Sequence, residues 1–187
     1  MFNIGDLIIY SAHGICHIDD ICEKTYSGIT KSYYILHPVR DNKLTISIPV
    51  DNDKVTMLKL IDRDEAEEII ESFKLPGIDW IELSNQRTEI YAGIVKSGNR
   101  TEICKLLNTL MRKNYEAEIN GKKLYEKDIR ILTLIQNTLF AELAMSLDTT
   151  YEEIYEKISS LIAVSEKESA LGKNTMEGVD NNEYRQR

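Results

Sequence analysis

The stretch GDLIIYSAHGICHIDDICEK, residues 5–24, sets His13, Cys16 and His17 within five residues, with Cys22 close behind. Imidazole and thiolate are ligands that zinc accepts, but a closed structural site takes four of them at hairpin or helix spacing. If the segment after Gly14 is a strand, its side chains alternate, so Ile15 and His17 face one way while Cys16, Ile18 and Cys22 face the other. Cys16 and His17 then cannot share one ion, and His13 falls in the preceding turn, where Gly14 is free to take positive φ. Only His37 and Cys104 remain as ligand types, and both are distant in sequence. The expectation is therefore no metal site. A β-hairpin explains the stretch instead: an apolar run over 7–10, the turn SAHG, and a second strand.

No catalytic constellation stands out elsewhere. The carboxylates between Asp62 and Glu71 are what a helix N-terminal turn favours, without acid–base chemistry. There is no GxGxxG, P-loop, nucleophile elbow or HExxH. His13, His17 and His37 all lie in the first part of the chain and read as packed or exposed residues rather than general bases. The expectation is a protein that is not an enzyme, with no cofactor and no small-molecule substrate.

The elements that carry these residues fall into two halves. With 187 residues, 42% of them hydrophobic, the chain can bury one sizeable core or two small ones. Up to about residue 60, short β-branched and aromatic runs alternate with turn residues: LIIY, GICHIDDICEK, KSYYILHPVR, LTISIPV and VTMLKLI. Five short strands predict a small barrel. In LTISIPV, Leu44, Ile46, Ile48 and Val50 share one face, and Pro49, which lacks an amide hydrogen, predicts an edge strand. Such an edge is either an accident of a small sheet or a rail on which a partner adds its own strand.

From Asp62 the period lengthens to that of helices. DRDEAEEIIESF is stopped by LPG at residues 75–77, and a second helix is expected from near Trp80 to Lys96. A third spans about Arg100 to Asn114, a long one about Tyr125 to Leu147, and a capping box at Thr150 and Glu153 opens the last. The fold class expected is β followed by α in two domains, a five-stranded β-barrel over 1–60 and an all-α bundle over 61–164. The polar end, 165–187, is expected to be disordered.

Charge and cysteine usage narrow the partners. Neither a charged-then-apolar leader nor an apolar run near eighteen residues is present, so a cytoplasmic protein without membrane contact is expected. Three cysteines at irregular spacing suit reduced, mostly buried thiols. The net charge of -8 is unevenly spread, and residues 96–130 hold nine Lys and Arg against five Asp and Glu. That block is either a phosphate-facing patch or a solvated face of mixed charge.

Several of these residues are familiar together. FNIGDLIIYSAHGICHIDDI, then YYILHPVRDNKLTISIPVDN, with Gly5-Asp6, Tyr10, Gly14 and Ile48-Pro49 in this order, resembles the CarD/CdnL transcription regulators. Their N-terminal module is shared with transcription-repair coupling factor. The resemblance covers about residues 1–163, more loosely in the helical half. It implies a Tudor-like barrel that docks on the β subunit of bacterial RNA polymerase, and a helical domain that contacts promoter DNA at the upstream edge of the transcription bubble and stabilises the open complex. The family's polymerase-binding edge falls on Ile46, Ser47, Ile48 and Pro49 here, with a basic contact at Lys24.

One departure concerns a Trp that family members wedge into the minor groove. Counting back thirteen positions from Ser97 gives Ser84, whereas the only Trp of this chain is Trp80, four residues upstream. Trp80 either packs in the core or at the domain junction, or performs the wedge role from a neighbouring turn. Gln86 and Glu89 stand where the resemblance implies positive charge, while Arg87 is kept. The expected DNA contacts are Trp80, Ser84, Arg87, Lys96, Arg100, Lys122 and Lys123, with weak affinity unless polymerase tethers the chain. An adaptor that binds polymerase or another strand-donating partner without DNA contact is the first rival. An RNA-binding barrel is the second, and six Lys and Arg against seven Asp and Glu over residues 1–60 count against it.

Overall fold

The structure is a computed structural model that describes residues 1–10, 13–52 and 57–177, with side chains as far as residue 168. Ser11 and Ala12 of the expected hairpin turn, Val55 and Thr56 of the expected fifth strand, and residues 178–187 lie outside the described residues.

Five strands come first: β1 (Leu7–Tyr10), β2 (Gly14–Tyr26), β3 (Ile29–Pro38), β4 (Ile46–Pro49) and β5 (Met57–Lys59). They form one antiparallel sheet in the order β4-β3-β2-β1-β5. Alternation decides the inner face, where Ile8, Cys16, Ile18, Tyr34, Leu36 and Ile48 are buried together. Among the described residues β4 pairs with β3 alone, which makes it an edge, as Pro49 predicts. β2 carries a bulge between Ile18 and Asp20. Ile18 opposes Leu36 and Asp20 opposes Ile35, so Asp19 is the extra residue.

Five helices follow: α1 (Arg63–Ser72), α2 (Ser84–Ser97), α3 (Arg100–Ile119), α4 (Glu126–Leu147) and α5 (Tyr151–Glu177). Three start at side-chain caps. Asp62 accepts from Glu65 N–H at 2.9 Å, Asn99 from Glu102 N–H and Thr150 from Glu153 N–H at 3.2 Å each. A second core holds the helices together, centred on Ile70, Phe73, Tyr91, Leu106, Leu107, Leu110, Phe140, Leu143 and Ile158. No described helix is long and apolar enough to cross a membrane.

Three helix boundaries differ from expectation. α2 begins at Ser84 rather than near Trp80, because the carbonyls of the preceding stretch are taken by tertiary partners. Thr109 Oγ1 donates to Ile78 O at 2.6 Å, and Arg87 Nη1 donates to Ile81 O at 2.7 Å and Glu82 O at 3.1 Å. α3 runs five residues past Asn114, to Ile119, before Asn120 caps it. The chain from 165, expected to be disordered, continues α5 to Glu177. Arg112 anchors its start, with Nη1 donating to Glu166 Oε1 at 2.6 Å and Ser165 Oγ at 3.2 Å, while Ser165 Oγ donates to Lys74 O at 3.2 Å.

The two halves meet through the segment after β5. Ile61 N–H donates to Glu142 Oε1 at 3.0 Å, Ser146 Oγ donates to Ile61 O at 2.7 Å, and Arg100 Nη2 donates both to Lys59 O at 2.7 Å and to Glu142 Oε1 at 2.9 Å.

Candidate functional site

The edge strand and the strand two places away from it build the first site. Tyr33 on β3 opposes Cys22 on β2 and Pro49 on β4, and Ile35 opposes Ser47. Directly opposed residues share a face, so Lys24, Tyr33, Ile35, Ser47 and Pro49 project together on the side away from the core. Lys24 Nζ donates to Ser47 Oγ at 2.8 Å and lies 6.0 Å from the centre of the Tyr33 ring. The residues that the resemblance groups, Lys24 with Ser47 and Pro49, therefore stand together, although 23 positions separate Lys24 from Ser47. Ile48 points the other way, buried in the sheet core, and Ile46 is half-buried against it. Both hold the strand in place rather than face outward. Tyr33 and Ile35 complete the outer face. Their alternation within β3 was readable, but not which strands they would lie between.

The second site lies at the end of the bundle where α2 and α4 begin. Arg87 and Asp128 are buried, 5% and 0% exposed, and pair side by side. Nε lies 3.1 Å from both carboxylate oxygens, and Nη2 donates to Oδ2 at 2.6 Å. Asp128 raises the affinity of the Arg87 guanidinium for its proton, chiefly by hydrogen bonding. With Nη1 donating to Ile81 O and Glu82 O, all five of these donor contacts are internal. Arg87 is thus a clamp that ties the 81–82 loop to α4, which removes it from the expected DNA contacts.

Trp80 is half-buried above this clamp. The Arg87 guanidinium carbon sits 4.2 Å from the centre of its ring, Lys113 Nζ 5.7 Å, and Tyr91 meets it edge-on at 6.5 Å. Because α2 starts at Ser84, Trp80 lies outside the helix, and the two positions are not one helical turn apart. Ser84 is exposed in the first turn.

The basic block divides. Arg100 is committed to Glu142, Glu65 and the Lys59 carbonyl, so it too serves the fold rather than an outside ligand. Lys105 pairs with Glu102, Arg112 with Glu166, Lys113 with Glu116 and Arg130 with Glu126. Lys96, Lys122 and Lys123 are exposed and make no ion pair among the described residues. Lys122 and Lys123 precede α4, whose first turn holds Asp128, whereas Lys96 is nine residues along α2 from Arg87, about 13 Å down the axis.

His13, Cys16 and His17 separate as strand alternation requires, but Cys22 does not follow Cys16: the extra residue Asp19 shifts the register, so Cys22 opposes Tyr33 and lies on the outer face with His17. His13 stacks on Tyr10 at 5.6 Å, and Cys16 is buried in the sheet core. Burial pushes its thiol up to about 11, and that of Cys104 up to about 12. His17 takes an unexpected partner. It opposes His37 across β2 and β3, the rings stacking at 5.4 Å, and both Nδ1 atoms address Asp19. Hydrogen bonding from His37 first, and from His17, holds the Asp19 carboxyl below the usual range.

Comparison with known proteins adds two findings. Residues 2–61 match the CarD-like/TRCF RID domain. A 124-residue stretch is 27% identical to "Putative transcription factor YdeB" of Bacillus subtilis (strain 168), covering 66% of this chain and 80% of that protein.

Proposed function

We propose that this CarD/CdnL-like chain is a bacterial transcription regulator that acts without catalysis, docking on the β subunit of RNA polymerase through residues 1–60 and stabilising the promoter open complex. The observation that carries the docking half is the side of β4 that no described strand pairs with. It is an edge strand in a CarD-like/TRCF RID domain, with Lys24, Tyr33, Ser47 and Pro49 side by side on its outer face. A partner strand added there gains main-chain hydrogen bonds from the edge and a charged contact at Lys24. On this reading the sheet is the Tudor-like barrel of the family, and the helical part over 61–164 is carried to promoter DNA.

DNA contact at the upstream edge of the bubble is the finer part of the proposal. Trp80, Ser84, Lys122 and Lys123 are its residues at the end of the bundle where α2 and α4 begin, with Lys96 further down α2. The exposed charge there is small, so binding depends on tethering by polymerase, which raises the local concentration. A specific observation favours the rival, an adaptor that binds polymerase without touching DNA: the basic block is largely neutralised by its own acidic neighbours.

Pull-down of the full chain with RNA polymerase β subunit tests the docking half. Ser47→Pro, which distorts the edge and removes an amide donor, should abolish capture while thermal unfolding of the helices is unchanged. Capture retained by that variant would refute the edge assignment. Open-complex lifetime separates regulator from adaptor. Lys122→Ala with Lys123→Ala should shorten it and flatten its salt dependence, whereas the adaptor predicts no change in either.

A further inference from the structure

The outer face of β2 and β3 carries a second constellation that the docking reading does not use. His17 and His37 are directly opposed in the register, and the bulge leaves Asp19 without an opposite residue. Bulges re-aim side chains, and this one turns the Asp19 carboxylate back over both rings. His37 Nδ1 lies 2.8 Å from each Asp19 oxygen and His17 Nδ1 lies 3.1 Å from Oδ1. One ligand atom from each of the three residues falls within 4.8 Å of the others. All three side chains reach solvent, with 39%, 38% and 29% of His17, Asp19 and His37 exposed.

We propose that His17, Asp19 and His37 form a three-ligand site for a divalent first-row transition ion of the zinc class, with an open coordination position facing solvent. Zinc bound at about 2.0–2.1 Å by nitrogen sets tetrahedral ligands roughly 3.3–3.5 Å apart. The observed 2.8 and 3.1 Å separations are those of hydrogen bonds, so an ion that replaces the shared hydrogens needs the three atoms to part by about half an ångström. Exposed side chains on a bulge can give that much, where the packed inner face could not. Two imidazoles and one carboxylate select zinc, nickel, cobalt or copper over magnesium and calcium, whose sites are built from oxygens. Three protein ligands are the complement of an open site, and the outer sheet face leaves the fourth position to water or to a donor from another molecule. Sequence spacing hid the set because His37 arrives from the next strand, paired with His17 by the hairpin register rather than by proximity along the chain.

The test uses the untagged full-length chain and zinc chloride alone, in competition with a chromophoric chelator of micromolar affinity. One zinc per chain is expected, and cobalt should give the visible absorption of a site holding nitrogen and oxygen ligands. His37→Gln and Asp19→Asn should each weaken zinc binding at least about tenfold, since loss of even an outer-shell partner costs ~10–100-fold. His13→Gln, outside the cluster, should leave it unchanged. Zinc titration should also shift the imidazole proton resonances of His17 and His37 together and leave His13 in place. Far-UV circular dichroism checks each variant, and Asp19→Asn, on an exposed bulge, serves if His37→Gln misfolds. Absence of binding at about 100 μM zinc would overturn the proposal, as would unchanged affinity in Asp19→Asn or equal loss in His13→Gln.

Discussion

Arg87 shows how little a residue's type says about its role. Arginine beside a tryptophan reads as a contact for an anionic ligand, yet here Asp128 and two carbonyls consume its donors and the Trp80 ring covers it. Removing one partner of a buried pair leaves an uncompensated charge, a loss of about 3–5 kcal/mol. Asp128→Ala should therefore lower the unfolding temperature of the helical half by several degrees in a thermal melt, and Asp128→Asn, which keeps an acceptor, should lose less. The thiols follow the same logic of burial. With Cys16 pushed up to about 11 and Cys104 up to about 12, neither presents much thiolate at pH 8. An aromatic disulfide reagent should react readily with Cys22 alone in the native chain and with all three after unfolding; rapid native reaction at Cys104 would contradict its burial. None of this needs an alignment to foresee for cysteine, where type and apolar context suffice. For Arg87 it needed Asp128, forty-one positions away.

Among the elements, the loop between α1 and α2 lies directly against α3 at Gly77. A β-carbon added at Gly77 would lie 2.2 Å from Lys105 O, 2.4 Å from Thr109 Oγ1 and 2.9 Å from Thr109 N, all on α3. The first and last of these are helix backbone and cannot move aside. Gly77→Ala should destabilise the bundle by more than the ~1–3 kcal/mol of an ordinary overpacked site, read as a fall in unfolding temperature. An unchanged melt would mean that the loop does not lie on α3. LPG was legible as a stop for α1, but the close approach was not, since glycine serves turns and contacts alike. The sheet was more transparent. Alternation in LTISIPV and the proline at 49 placed β4 at an edge with Ile48 inward, because a period of two fixes which face is buried once one face is apolar. The length of α5 was the opposite case. Past residue 164 the apolar period fades, and the contact that continues the packing there is Arg112 of α3 on Ser165 and Glu166.

At the scale of the molecule, two cores are joined by a small polar cluster around Ile61. Glu142 is 1% exposed there, and burial, partly offset by Arg100 and the Ile61 amide, raises its carboxyl above the ordinary range. A carboxyl raised in the folded state favours folding below its unfolded value, near pH 4.5, and loses that contribution as pH rises through the folded value. Glu142→Gln keeps the acceptor for Ile61 without the charge, so its unfolding temperature relative to wild type should be higher at pH 7 than at pH 4.5. The reverse trend would show that Arg100 more than compensates the burial. Two periodicities, one of two residues up to about 60 and one near 3.6 afterwards, were enough to read strands followed by helices, because backbone geometry imposes those periods on any buried face. The resemblance of GDLIIY and ISIP to a family was likewise legible, and residues 2–61 carry that domain. What remained for the tertiary structure was pairing. Whether Arg87 and Arg100 face solvent or a carboxylate, whether Trp80 stands in a helix or on a guanidinium, and whether His17 meets Cys16 or His37 all depend on contacts between residues distant along the chain. Such contacts are set by strand register and helix packing, and a linear spacing of residue types carries neither.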